Sequence, residues 1–216
     1  MKRVISRNSL TLLAILLLIL GNARSSRGFY DTAQIEVRVL AESCFESFRE
    51  GDIILRKGDS WLSGFIARAL PNPYKISHGG ILVKSEGKWL VIHTISGQIS
   101  NIDGIRSEPL ERFLDKASGG VVLHLSPRFD VDRRELTARA KYYLQQKTPF
   151  DMEYDLNTHD KLYCTELIRT VYLDAGAEDI FSSQKVGNKT ILDFSGFFDE
   201  RYWEMTPLFL DKKSPS

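Results

Sequence analysis

This chain of 216 residues has few of the features that small disulfide-stapled or strongly charged proteins depend on. It contains only two cysteines, too few for a disulfide framework. Its formal net charge of +1 argues against binding of nucleic acid through bulk charge. It also lacks internal repeats and low-complexity tracts. With 43% hydrophobic and 26% charged residues, the sequence is typical of one ordinary globular domain with a substantial core.

Long hydrophobic runs are also scarce, and the one clear run lies near the N-terminus. Lys2, Arg3 and Arg7 precede an apolar run from Leu10 to Leu20. This run is too short for a comfortable membrane span, which needs about 20 residues. The basic residues, the run and the small residues that follow it are typical of a cleaved secretory signal, with an uncleaved membrane anchor as the alternative. We therefore predict a signal peptide over residues 1–23 and a periplasmic or otherwise exported protein.

Hydrophobic periodicity divides the rest of the chain into helices and short strands. We predict an N-terminal helical extension over residues 24–49 and one folded domain over residues 50–216. Residues Tyr30–Phe48 are predicted to form a helix in which Cys44 is core filling. The further predicted elements are a strand at Ile53–Leu55, a helix from a cap at Ser60 to Leu70, a hairpin over 76–83 and 89–95, a strand at Val121–Leu125, a helix from a capping box at Asp132 to Gln146, and a helix carrying Cys164 that Gly176 ends.

The hairpin is the first candidate for a functional site, because it contains two histidines. If Glu86–Gly87 is a two-residue turn, Ser85 pairs with Lys88. His78 and His93 then lie on the same face as diagonal neighbours, roughly 7–8 Å apart at the backbone. A three-residue turn would place them on opposite faces instead.

Cys164 has the surroundings of a reactive thiol. It lies on an apolar helical stripe, so its side chain is predicted to point inward toward the sheet. A helix cap at Asp160 would place it in the first turn, where free N–H groups and the helix dipole lower a thiol pKa. We predict Cys164 as the nucleophile, His78 as the base and His93 as the residue that orients His78.

Each of these residues also has a structural interpretation that the sequence leaves open. Cys164 has the position of a small buried hydrophobic residue on an inward helix face. His78 and His93 would then only hydrogen-bond to backbone groups. In an oxidising compartment, Cys44 and Cys164 would instead form a disulfide in a non-enzymatic envelope protein.

The other histidines and two aspartates receive lesser roles. His124 alternates with leucines, so we predict that it lies on the solvent side of its strand. His159 precedes the cysteine and is a rival base. Asp151 and Asp155 suggest a metal site, but no close cluster of ligands accompanies them, so neither a metal nor another cofactor is predicted.

Four motifs resemble, in order, those of a known group of enzymes. They match the YiiX/YaeF/YebB-type enzymes, circularly permuted papain-like members of the NlpC superfamily, over about residues 50–176. The order His before Cys is the reverse of papain's. The four motifs are Gly51–Ile54, Ser77–Ile81, Lys141–Asp151 and Tyr163–Leu167.

The resemblance implies both a fold and a chemistry. The fold is α+β, with an antiparallel, barrel-like sheet packed against the cysteine-bearing helix. The chemistry is thiol attack on an amide or ester carbonyl, with the nucleophile at Cys164 and the base at His78. The family's third polar residue matches His93, where close YiiX relatives carry Glu and other superfamily members use His.

The predicted function is that of an exported cysteine amidase or peptidase. Its substrate, and the only partner predicted, is a cell-envelope amide, either a peptidoglycan stem peptide or an N-acylated amino acid. Neither a nucleic acid nor an obligate protein partner is predicted. Tyr74, Tyr163 and Asp151 are the candidate substrate-binding residues.

A thiol acyltransferase or lipid (thio)esterase with the same site is the alternative function. Such an enzyme needs an apolar groove for its acyl chain. The candidates for lining it are Trp61, Phe65, Ile66, Leu70 and Tyr74.

Overall fold

The computed structural model describes residues 38–39, 42–70, 72–154, 156, 160–186, 188–209 and 211–212. All of these described residues belong to one compact unit. The predicted signal peptide, His159 and Asp155 lie outside the described residues. Within those ranges, none of the helices combines the length and the hydropathy that crossing a membrane requires.

Short strands and helices alternate along the described chain. The strands are β1 (Arg38–Val39), β2 (Ile53–Gly58), β3 (His78–Ser85), β4 (Lys88–Ile95), β5 (Gly104–Pro109), β6 (Ala117–Pro127), β7 (Ser183–Val186), β8 (Lys189–Leu192), β9 (Trp203–Phe209) and β10 (Asp211–Lys212). The α-helices are α1 (Trp61–Ala69), α2 (Leu110–Asp115), α3 (Arg133–Gln146) and α4 (Cys164–Asp174). Two short 3-10 helices cover Glu42–Ser47 and Ser195–Phe198.

An antiparallel sheet of six strands forms the centre of the fold. Its strand order is β5-β4-β3-β2-β6-β9, and two small ribbons pair β1 with β10 and β7 with β8. The combination of helices with an antiparallel sheet agrees with the predicted fold class. The predicted barrel-like closure is wrong, because β5 and β9 are the two edges of an open sheet.

Both faces of this sheet are covered by apolar side chains. On one face, Ile53 and Leu55 of β2 pack in a cluster with Ile168 of α4. On the other face, Ile54 packs in a cluster with Phe113 of α2. Because β2 is buried on both sides, its sequence is a continuous apolar run rather than an alternating pattern.

The predicted hairpin register is confirmed. Ser85 pairs with Lys88, so Glu86–Gly87 is a two-residue turn. Both turn residues have positive φ angles, +50° and +79°, as a tight hairpin turn between twisted strands requires. His78 and His93 consequently lie on the same face of the sheet.

Several helix boundaries also agree with the sequence signals. Ser60 accepts a hydrogen bond from the Ser63 N–H at the start of α1. Asp132 accepts hydrogen bonds from the first turn of α3, which ends at Gln146 as predicted. Gly176 follows α4 with a φ of +85°, which is the left-handed conformation that ends a helix.

Two helix predictions are wrong. Helix α4 begins at Cys164 with Tyr163 as its N-cap residue, not after a cap at Asp160. The continuous helix predicted over Tyr30–Phe48 is absent from its described part, where β1 pairs with β10 and a 3-10 helix follows. The domain boundaries drawn at residues 23 and 49 stay predictions.

His124 is buried, so the prediction that it faces solvent is wrong. Its Nε2 lies 2.7 Å from Oδ2 of Asp52, and Nη1 of Arg133 lies 2.7 Å from Oδ1 of the same carboxylate. Burial raises the pKa of Asp52, but the hydrogen bonds from His124 and Arg133 hold it below its ordinary value. Phe48 lies against the His124 ring, where the alternating pattern predicted solvent.

We expect Gly80→Ala to destabilise the domain. A Cβ atom there would lie 2.8 Å from the Ile92 carbonyl oxygen and 2.9 Å from the His93 Cβ, so the β3–β4 ladder would have to open. Such overpacking costs about 1–3 kcal/mol, measured as the free energy of unfolding in urea. Gly64→Ala is the matched control, because a Cβ there meets no atom within 4 Å and alanine favours helix α1. Equal stability of the two variants would contradict this packing.

Candidate active site

Two imidazole rings meet at one end of the β3–β4 hairpin. His78 is the first residue of β3, and His93 lies on β4. Nε2 of His78 lies 2.9 Å from Nδ1 of His93, so the predicted proximity of the rings is confirmed. Gly80 lies beside His93 and leaves space for that ring, because it has no side chain.

A carboxylate on β5 extends this contact, and sequence reasoning missed it. Nε2 of His93 lies 3.0 Å from Oε1 of Glu108, which is only 2% exposed. Val91 pairs with Glu108 across the β4–β5 ladder, so Glu108 is the diagonal neighbour of His93 on the same face. No strand was predicted over Gly104–Pro109, and nothing in the sequence pattern of this segment marked Glu108 as inward-facing.

The ionisation of Glu108 fixes the tautomers of both histidines. Burial would raise the pKa of Glu108, but the contact with His93 and the positive charges of Lys116 and Arg106 lower it to about 2. The ionised carboxylate lies 3.0 Å from Nε2 of His93 and favours a proton on that nitrogen, so Nδ1 of His93 is left to accept a hydrogen bond from Nε2 of His78. Nδ1 of His78 is then the ring nitrogen that is free to act as a base.

The ring of Phe113, from α2, supports this line of polar side chains. It stacks on His78 with ring centroids 5.6 Å apart and meets His93 edge-on at 5.2 Å. The guanidinium carbon of Arg56 lies 4.5 Å from the centroid of the same ring. One aromatic side chain thus contacts three polar residues.

Cys164, the first residue of α4, is 7% exposed. Burial raises the pKa of the Cys164 thiol to about 11, although hydrogen bonds from the N–H groups of Gly79, Thr165 and Cys164 itself oppose the rise. The expectation that the helix N-terminus lowers this pKa below its ordinary value is therefore wrong. The N–H groups are present as predicted, but desolvation is the larger effect.

His78 is neutral in the same environment. Burial lowers its pKa well below the ordinary 6.5, and the positive charges of Arg56 and Lys116 lower it further. At neutral pH the site consequently holds a neutral thiol and a neutral imidazole. Any attack by this sulfur would therefore require transfer of the thiol proton in the same step.

A cavity of about 270 Å³ opens at these residues. His78 and Cys164 both line it, as do the cationic residues Arg56 and Lys116. Most of the remaining lining is apolar and includes Leu62, Ile66, Leu70, Ile95, Leu192 and Phe194.

One of the three candidate substrate-binding residues lines this cavity. Tyr163 does so, and its hydroxyl oxygen accepts the N–H of Leu192 at 2.9 Å. Tyr74 packs against Phe198 instead, and Asp151 is buried at 1% exposure. Substrate contacts of Tyr74 and Asp151 stay predictions.

The predicted apolar groove is formed in part. Ile66 of α1 and Leu70, the C-cap residue of this helix, line the cavity. Trp61 and Phe65 are instead exposed on the surface, at 61% and 39%. Only one side of α1 therefore faces the cavity, as expected for an amphipathic helix.

Both cysteines are free thiols in the structure. Cys44 packs against the apolar cluster that contains Phe113, and Cys164 belongs to the cluster on the other face of the sheet. The structure therefore contains no disulfide of the kind that the non-enzymatic alternative requires.

Comparison with solved structures identifies a similar fold. A search of the curated proteins found no match. A crystal structure of metalloprotein yiiX from Escherichia coli is 21% identical, with a TM-score of 0.60, and the alignment covers 77% of this chain and 98% of that chain. In the part of this chain that the structure describes, no three His, Cys, Asp or Glu side chains are grouped so that they could hold a metal ion.

Comparison with protein families gives the identity of the chain. The model of the permuted papain-like amidase enzymes (YaeF/YiiX, C92 family) matches residues 47–198, well over half of the sequence. The matched range contains His78, His93, Glu108 and Cys164. The chain therefore belongs to the permuted papain-like amidase family of the YaeF/YiiX type and is a cysteine amidase-type hydrolase.

Proposed function

We propose that this protein is an exported amidase that cleaves an amide with an apolar acyl group through an acyl-enzyme on Cys164. The observation that carries the proposal is the continuous line from Glu108 through His93 to His78, with contacts of 3.0 and 2.9 Å, at the cavity that Cys164 lines. His78 acts as the base, and His93 and Glu108 position it. Export rests on the N-terminal sequence pattern.

The first half-reaction forms a thioester. Nδ1 of His78 takes the thiol proton of Cys164 while the sulfur attacks the carbonyl carbon, and the C=O electron pair moves to oxygen. The N–H of Cys164, at the start of α4, donates a hydrogen bond to this oxyanion. Collapse restores the C=O bond and breaks the C–N bond, and His78 gives its proton to the departing amine.

Water hydrolyses the thioester in the second half-reaction. His78 takes a proton from water as the oxygen attacks the acyl carbon, the C–S bond breaks, and the proton returns to the sulfur. The products are a carboxylic acid and an amine. Because burial disfavours a charged His78, the imidazolium that forms in each half-reaction needs the ionised Glu108 behind His93.

The cavity lining favours an N-acyl amino acid over a peptidoglycan stem peptide. The side chains of Leu62 and Ile66 in α1 and of Leu70 directly after it are apolar, and they offer an acyl chain a surface from which water is excluded. The polar groups of a stem peptide would find no hydrogen-bond partners on these three side chains.

A thiol acyltransferase or lipid (thio)esterase is the second candidate, since the same apolar wall suits its substrates. It would use the same acyl-enzyme and differ in the bond that is broken or in the acceptor of the acyl group. Product analysis separates the candidates, because hydrolysis of an amide gives a free acid and a free amine in equal amounts.

The direct test uses an N-acyl amino acid and mass spectrometry of the protein. We expect the wild type to release the free amino acid and to carry a transient acyl group on the peptide that contains Cys164. Cys164→Ala and His78→Ala should each lose roughly 10³-fold or more in kcat. Cys44→Ala is the matched control and should keep the wild-type rate. Turnover that persists in Cys164→Ala would show that the nucleophile is wrongly assigned.

The pH dependence of Cys164 alkylation tests the neutral resting state. The thiolate fraction rises with pH through the thiol pKa, which burial raises to about 11. We therefore expect the rate of reaction with iodoacetamide to keep rising above about pH 8.5, the ordinary thiol midpoint. This pH dependence of the alkylation rate should change little in His78→Ala. Peptide mass spectrometry, with Cys44 in the same digest as a reference, gives the rates. A midpoint below about 8.5 that rises in His78→Ala would indicate a resting thiolate–imidazolium pair instead.

Glu108 is expected to affect turnover rather than substrate binding. Glu108→Ala removes the acceptor behind His93 and should lower kcat about 10- to 100-fold with little change in KM. Glu108→Gln keeps an acceptor oxygen but loses the charge, so its kcat should fall between those of the wild type and the alanine variant. Steady-state kinetics, with thermal unfolding as a check on folding, gives both constants. A raised KM at unchanged kcat would mean that Glu108 acts on the substrate instead.

A further inference from the structure

Arg56 is a buried cation in the wall of the catalytic cavity. It follows the fully buried run of β2, and only 4% of its surface is exposed. It pairs with His78 across the β2–β3 ladder and lines the cavity together with His78 and Cys164. Neither thiol attack nor proton transfer uses this side chain.

The Arg56 guanidinium has little compensation for its burial. Nη1 donates to the Lys116 carbonyl oxygen at 2.6 Å, and the group lies over the Phe113 ring. Nε is buried without a hydrogen-bond partner. Among the described residues, no carboxylate lies within ion-pair distance of this guanidinium. A buried charge that lacks a counter-ion is costly unless a ligand supplies one.

The charge of Arg56 persists despite its burial. Burial lowers the pKa of Arg56 to about 10, and the negative charges of Asp59 and Glu108 oppose this decrease. The side chain is therefore protonated at neutral pH and can pair with an anion that enters the cavity.

Two further polar groups line the same cavity. Thr94 is fully buried, and its Oγ1 has no hydrogen-bond partner among the described residues. The ammonium of Lys116 adds a second positive charge, although it also lies 3.7 Å from the Glu108 carboxylate. Asp59 also lines the cavity, so the lining side chains among the described residues carry two positive charges and one negative charge.

We propose that Arg56 is a specificity-determining residue that binds a carboxylate of the amide substrate, with the Thr94 hydroxyl as a second donor and Lys116 as a supporting charge. This inference rests on the proposed amidase activity. A planar carboxylate accepts two parallel N–H bonds from a guanidinium, and the Arg56 side chain lines the cavity that the substrate would enter. Substrate binding would thereby give this guanidinium the direct ion-pair partner that it lacks among the described residues.

The carboxylate has two possible sources, on either side of the scissile amide. In an N-acyl amino acid it belongs to the departing amine, and in the monoamide of a dicarboxylic acid it belongs to the acyl group. Three matched substrates separate them: hexanoyl-glycine, the neutral hexanoyl-glycinamide, and the glycinamide of adipic acid with its second carboxylate free.

We expect wild-type kcat/KM for one carboxylate substrate to exceed that for hexanoyl-glycinamide by about 10- to 100-fold. Arg56→Gln should abolish this preference by lowering kcat/KM for the carboxylate substrate. The kcat/KM for hexanoyl-glycinamide should fall much less. Arg56→Lys keeps the charge but not the planar guanidinium, so it should retain part of the preference. It also replaces Arg56→Gln as the test if the glutamine variant fails to fold. Lys88→Gln removes one exposed positive charge from the hairpin and should retain the full preference.

Ligand binding to Cys164→Ala, measured by calorimetry, separates failure of this inference from failure of the amidase activity. In that background one carboxylate ligand should bind more tightly than hexanoyl-glycinamide, and adding Arg56→Gln should remove the difference. Such a binding preference without hydrolysis by the wild type would overturn the amidase proposal and retain the carboxylate subsite. Equal affinity for all three ligands would overturn the proposed subsite. An equal decrease in kcat/KM for all three substrates in Arg56→Gln would overturn it as well.

Discussion

The contact of 2.9 Å between Nε2 of His78 and Nδ1 of His93 leaves a single ring nitrogen free to act as a base. This contact requires the two-residue turn at Glu86–Gly87, because a slip of one residue would place the rings on opposite faces of the sheet. It also requires β5, since Glu108 holds the proton of His93 on the far nitrogen. Three neighbouring strands thus determine one tautomer. Cys164 is the first residue of α4, which packs against the opposite face of the sheet. The geometry of the site therefore also depends on the packing of this helix.

The sequence carried enough information to predict the hairpin, its register and the proximity of its histidines. A strand has a side-chain period of two, and a tight turn with glycine in its second position leaves little freedom in pairing. Helix ends were predictable where a side chain caps the backbone, as Ser60 does, or where glycine adopts a left-handed conformation, as Gly176 does. These signals are local, so they can be found without knowledge of the fold.

The features that escaped prediction depend on long-range packing. Glu108 was missed because its strand has no apolar alternation, and its inward orientation depends on pairing with β4. His124 was placed in solvent because alternation along one strand does not reveal the second apolar layer over that face. The pKa of Cys164 was predicted in the wrong direction for a related reason. A position at a helix N-terminus can be recognised in a sequence, whereas the depth of burial cannot.

Phe113 lies against His78, His93 and Arg56 at the same time. Its ring carries no charge and transfers no proton, yet it fixes the positions of the proposed base and of the guanidinium beside it. A change in the size of this one side chain would displace both groups together. If His78 and Arg56 act as proposed, the rate of the reaction and the choice of substrate charge depend on the same aromatic ring, and a substitution there would alter both.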